Sequence, residues 1–110
     1  MATLTLGNLG TYLMREGDYT VRLRNRNLLN PCQYIFAILW FDGNQGLWTT
    51  QLVSQNMKTT RGASGRQFSE AKQQLISDVK DYVNEGYLIT SVKSIAYSIP
   101  PWLRRKSRQS

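Results

Sequence analysis

The sequence predicts an α+β fold, an antiparallel sheet of about five strands with one amphipathic helix over about residues 69–85 packed on one face. Three stretches carry that expectation. Residues 19–26 alternate strictly, with Tyr19, Val21 and Leu23 on one side and Thr20, Arg22, Arg24 and Arg26 on the other, the period of a half-buried strand. Residues 34–41 are apolar on both faces, as a central strand covered on both sides must be. Phe68, Ala71, Leu75, Val79, Tyr82 and Val83 recur at spacings of three and four and build one apolar stripe along a helix.

In chain order, residues 3–6 and 11–14 read as short strands separated by Gly7-Asn8-Leu9-Gly10. Glu16-Gly17-Asp18 signals a turn before the alternating strand. The central strand ends in Asp42-Gly43-Asn44-Gln45-Gly46, a hairpin loop rich in residues that tolerate positive φ, and residues 47–55 return as a strand. Residues 56–67 are small, polar and cationic and read as an exposed loop. Ser69 suits a helix N-cap, Glu70 suits the first turn, and Gly86 stands where a left-handed C-terminal cap is common. Residues 87–99 are β-branched and aromatic enough for a last strand, stopped by Pro100-Pro101. The order is then β-β-β-β-α-β, in a single basic domain over 1–101 with a flexible basic tail over 102–110. A single helix covers a single face of the sheet, which leaves the other face to solvent, a second subunit or a ligand.

The 110 residues suffice for one core and are too few for two. An apolar content of 41% is too high for a disordered chain. No apolar run approaches the roughly 20 residues that span a bilayer, and the first residues lack the basic start and apolar centre of a secretion signal. The single cysteine, Cys32, has no partner for an internal disulfide and fits a reducing compartment. These features predict a soluble intracellular protein, cytoplasmic or, if viral, virion-associated.

Charge is the strongest compositional signal. The formal net charge is +7, and it is unevenly spread. Residues 69–86 hold Glu70, Asp78, Asp81 and Glu85 against Lys72 and Lys80, so that segment carries −2 and the rest of the chain +9. Such asymmetry implies a surface that attracts polyanions.

The residue inventory argues against catalysis. Histidine is absent and cysteine is single, which removes the usual general base, the nucleophilic triads and the common zinc and iron–sulfur ligand sets. Neither a P-loop nor a dinucleotide-binding glycine pattern occurs. Asp78 and Asp81 lie on adjacent helical turns, on the face predicted to point away from the apolar stripe, and are expected to be solvated. The expectation is a non-enzymatic protein without metal or cofactor.

Arg22, Arg24 and Arg26 form the most informative pattern. Alternate residues of a strand lie about 6.5–7 Å apart, similar to successive phosphates of an extended single strand. Single-strand binders pair such cations with aromatic stacking platforms, and Trp48, beside the hairpin, and Trp102, beyond the prolines, have the weakest claims to a core place. Lys58, Arg61 and Arg66 add cations to the glycine-containing loop, whose Gly62-Ala63-Ser64-Gly65 formally matches a Gly-x-x-Gly phosphate clamp. Arg104, Arg105, Lys106 and Arg108 concentrate charge in the tail. Together these residues predict a binder of nucleic acid, single-stranded DNA or RNA, that acts as a homo-oligomer. The alternative is a small structural or interaction protein, a virion component or an inhibitor of a nucleic-acid machine, that docks protein on the sheet face. In layout, a sheet followed by a helix with a basic sheet face is similar to the whirly single-stranded-DNA-binding proteins. That likeness carries over no functional position, and the strand after the helix is extra to it.

Overall fold

The structure, a computed structural model, describes residues 4–26, 34–43, 45–54 and 59–94, with residues 59–66 described by their backbone. The fold is α+β. Strands β1 (Tyr19–Asn25), β2 (Tyr34–Asp42), β3 (Leu47–Ser54), β4 (Thr59–Arg66) and β5 (Tyr87–Lys93) form one sheet in the order β4-β3-β2-β1-β5, and every adjacent pair is antiparallel. The eight-residue apolar run thus lies in the central strand. A short helix α1 (Leu9–Tyr12) precedes the sheet, and the long helix α2 (Phe68–Asn84) lies between β4 and β5.

The element order matches the expected β-β-β-β-α-β, but two of its members differ. The N-terminal segment is helical where short strands were expected: a 3₁₀ turn at Leu6–Asn8 runs into α1. Its start is a reciprocal cap in which the Thr5 N–H donates to Asn8 Oδ1 (2.8 Å) and the Asn8 N–H to Thr5 Oγ1 (3.3 Å). Leu6, Leu9 and Leu13 are spaced by three and four, and they join the core beneath α2. The fourth strand comes instead from the expected loop, as β4. Its glycines and small polar residues give no hydrophobic alternation, yet an edge strand needs only one ladder, which β3 supplies. The ladder slips at two places, Trp48/Thr50 and Leu52/Val53.

Helix α2 begins at Phe68, one residue before the expected Ser69 and with Gln67 as the N-cap. The Gln67 N–H donates to the Glu70 carboxylate at 3.2 Å, so Glu70 closes the first turn from the third helical position. The helix ends as expected at Gly86, which donates its N–H to the Val83 carbonyl (3.1 Å) and, with a φ of 108°, takes the left-handed conformation that turns the chain out of the helix. The other positive-φ glycine, Gly46 (69°), closes the β2–β3 hairpin by donating to the Asp42 carbonyl at 2.8 Å. Strand β5 is described as Tyr87–Lys93, and the expected continuation to residue 99 lies outside the described residues.

The main core lies between α2 and one face of the sheet, where Tyr19, Val21, Leu23, Ile35, Ala37, Leu39 and Leu52 meet Phe68, Ala71, Leu75 and Val79. The opposite face, here called the open face, carries a second and smaller cluster. Ile38 (1% exposed), Trp40 (5%) and Val53 (1%) pack together with half-buried Phe36. Among the described residues no helix is long and apolar enough to cross a membrane.

Candidate nucleic-acid interface

Pleating sorts the side chains of β1 as the alternation predicts. Tyr19, Val21 and Leu23 are buried toward α2, while Arg22 and Arg24 stand exposed on the open face. Arg26 is exposed one residue beyond the strand, and its backbone N–H donates to the Gly86 carbonyl at 3.1 Å. The register of β1 on β2 sets Arg22 opposite Phe36 and Arg24 opposite Tyr34, two half-buried aromatics of the central strand. On the other flank, β5 sets Leu88 (46% exposed) opposite Arg24 and exposed Lys93 opposite Thr20. The open face therefore interleaves cations with aromatic and aliphatic surface.

Arg22 and Arg24 differ in how they are held. Arg22 Nε donates to the Thr90 hydroxyl at 2.9 Å, and its guanidinium carbon lies 5.1 Å from the centroid of the Tyr34 ring, within cation–π range. Arg24 makes no side-chain hydrogen bond or ion pair among the described residues. At the hairpin end of the face, Trp40 and Thr49 are direct cross-strand partners, and the Trp40 Nε1 and Thr49 Oγ1 atoms are buried without a hydrogen bond.

Carboxylates are sparse on this face, which holds only Asp42, at its hairpin end. Of the seven in the chain, Glu70, Asp78, Asp81 and Glu85 lie on α2 or its C-cap, and Glu16 and Asp18 precede β1. Only Asp42 lies in a strand, as the last residue of β2, where its side chain accepts the Gln45 N–H (3.4 Å) at the hairpin. No negative charge stands beside Arg22 and Arg24 within the sheet to neutralise them.

The remaining expected site residues fare differently. Trp48 lies on the helix side, not beside the arginines, because its place opposite Phe41 puts it on the same face as Leu39 and Leu52. Its ring packs edge-on against Phe41 (5.3 Å) and Phe68 (5.0 Å) and joins the main core, which corrects its assignment as an accessible platform. Arg61 and Arg66 belong to β4, opposite Leu52 and Trp48 in the register, and Gly62 pairs with Gln51, so the clamp-like glycine pattern sits in a strand and not in a loop. Lys58, Trp102, Arg104, Arg105, Lys106 and Arg108 lie outside the described residues. Asp78, expected to be solvated, is only 3% exposed and accepts a hydrogen bond from Gln74 Nε2 at 3.0 Å. It stands next to Val79 and three residues from Leu75, on the flank of the apolar stripe and not opposite it.

Three members of the arrangement were not singled out from the sequence. Tyr34 and Phe36 were legible as an alternating pair, but which face of β2 would be the main core depends on where the helix packs. Thr90 becomes a neighbour of Arg22 only through an irregularity in the β1–β5 ladder. No protein-family model, curated protein or solved structure matches the chain.

Proposed function

We propose that the protein is a non-enzymatic nucleic-acid-binding protein that holds a single strand of DNA or RNA on the open face of its sheet. The observation that supports this reading is the segregation of charge across the sheet. Arg22 and Arg24 stand exposed beside Tyr34 and Phe36, while all but one of the carboxylates lie off the strands and four belong to α2 and its cap. A polyanion relieves the mutual repulsion of neighbouring guanidiniums, and half-buried rings offer sequence-tolerant contact to bases. Arg26, Lys58, Arg61, Arg66, Trp102 and the tail cations Arg104, Arg105, Lys106 and Arg108 enter this reading as further contacts on sequence grounds. Self-association is part of it too, through one of the two edge strands, β4 or β5.

The test is an oligonucleotide titration at several salt concentrations. The parent should bind single strands of any sequence with affinity falling steeply as salt rises. Arg22→Gln, Arg24→Gln and Arg26→Gln should each lower the log–log slope by about 0.7 for every phosphate that is no longer neutralised. A protein that binds no oligonucleotide at low salt sinks the proposal. The second reading, a protein-docking face, is favoured by exposed Leu88, which stands opposite Arg24 on that same surface. It gains if a variant that combines all three substitutions keeps its affinity for nucleic acid and loses a protein partner through a contact that resists salt.

A further inference from the structure

Arg22 is fastened at three points, and the fastening depends on one inserted residue. In the β1–β5 ladder Arg22 faces Ser91 and Leu23 faces Ile89, so Thr90 is the extra residue of a bulge. Its hydroxyl donates to the Arg22 carbonyl at 3.1 Å and accepts from Arg22 Nε at 2.9 Å. The guanidinium is thereby held over the Tyr34 ring. We infer that Arg22 is a fixed anchor for one phosphate group of the bound strand, with Thr90 and Tyr34 as its positioning residues. This inference rests on the nucleic-acid reading proposed above.

The chemistry follows from which donors are already committed. A guanidinium has five N–H groups, and the Nε–H is spent on Thr90, so the four N–H groups of the two Nη nitrogens remain for a ligand. They form the end of the fork and match the two non-bridging oxygens of a single phosphodiester. Because the side chain is held before the ligand arrives, binding forgoes much of the rotamer entropy that a long cationic side chain ordinarily loses. Arg24, with no such tether, is free to follow the neighbouring phosphate as the strand flexes. The guanidinium also covers one face of the Tyr34 ring, which leaves Phe36 as the better surface for a base.

The test compares variants that keep the charge. A short labelled oligothymidylate is titrated into the parent and into Thr90→Val, Thr90→Ser, Arg22→Lys and Arg24→Lys. Thr90→Val and Arg22→Lys should each weaken binding by about two- to tenfold with an unchanged salt slope, since no cation is removed. Thr90→Ser should bind like the parent, and Arg24→Lys should lose less affinity than Arg22→Lys. Equal effects of lysine at the two arginine positions, or parental affinity in Thr90→Val, would overturn the anchor. Denaturant unfolding of each variant guards against a general loss of structure. The Arg22 Nε–H resonance of the free protein separates the two levels of the proposal. A protected Nε–H in a protein that binds no oligonucleotide sinks the nucleic-acid reading and the anchor with it, although the clasp is real. An Nε–H that exchanges as fast as that of Arg24 sinks the clasp itself, whatever the protein binds.

Discussion

Asp78 and Asp81 are equivalent in composition and adjacent on one helix, yet they part company once the helix lies on the sheet. Asp78 is buried and hydrogen-bonded to Gln74, whereas Asp81 is exposed. Asp78→Ala removes a buried acceptor from the half-buried Gln74 amide and should cost about 1–3 kcal/mol, more than the same change at exposed Asp81, both read from urea unfolding. Trp40 offers the converse case. Its Nε1 is buried without a partner, so Trp40→Phe removes an unmet donor along with some apolar area, and the two changes should offset to within about 1 kcal/mol. At this scale the sequence was most legible where a strict period met a polar surface: Arg22 and Arg24 stand exposed where the alternation put them. It was least legible at Thr90 and Asp78. The first depends on a bulge, which only strand pairing defines, and the second on the angle at which the stripe of α2 meets the sheet.

Among the elements, the strong periods held and the weak ones traded places. The alternating strand, the doubly apolar strand, the hairpin and the long helix were all readable because burial repeats at a fixed interval in each. The N-terminal segment was not. Its Thr5–Asn8 cap and its Leu6, Leu9 and Leu13 spacing are helical signals, but they span too few residues to outweigh a β-branched start. The sequence of β4 has no hydrophobic alternation, and its strand character became legible only through its pairing with the edge of β3. The helix end supplies the test at this scale. Gly86 at φ 108° is followed at once by β5, and its carbonyl accepts the Arg26 N–H that ties α2 to the end of β1. A side chain there is strained, although a Cβ would meet nothing within 4 Å, so Gly86→Ala should destabilise by about 1–2 kcal/mol through backbone conformation alone. Thermal unfolding of that variant, compared with Gly7→Ala in ordinary backbone, isolates the effect.

For the molecule as a whole, where the charge sits matters more than how much there is. Screening at physiological salt acts over about 8 Å, and the sheet with its core separates the outer side of α2 from the open face. Asp81→Lys raises the net charge by two units on the helix side, and it should leave the salt dependence of oligonucleotide binding unchanged. Arg24→Gln lowers the net charge by one on the sheet side, and it should flatten that dependence by about 0.7. A slope that tracked total charge in both variants would mean that the open face has no special part in binding. The same two-sidedness governs how neighbouring copies would meet along a shared strand. Each would turn its cations inward and its helix outward, so a coated strand would show the surroundings Glu70, Asp81 and Glu85, with Lys80 among them. The net negative charge of those exposed groups would make coated filaments repel one another, so the acidic residues of the helix side would oppose their bundling.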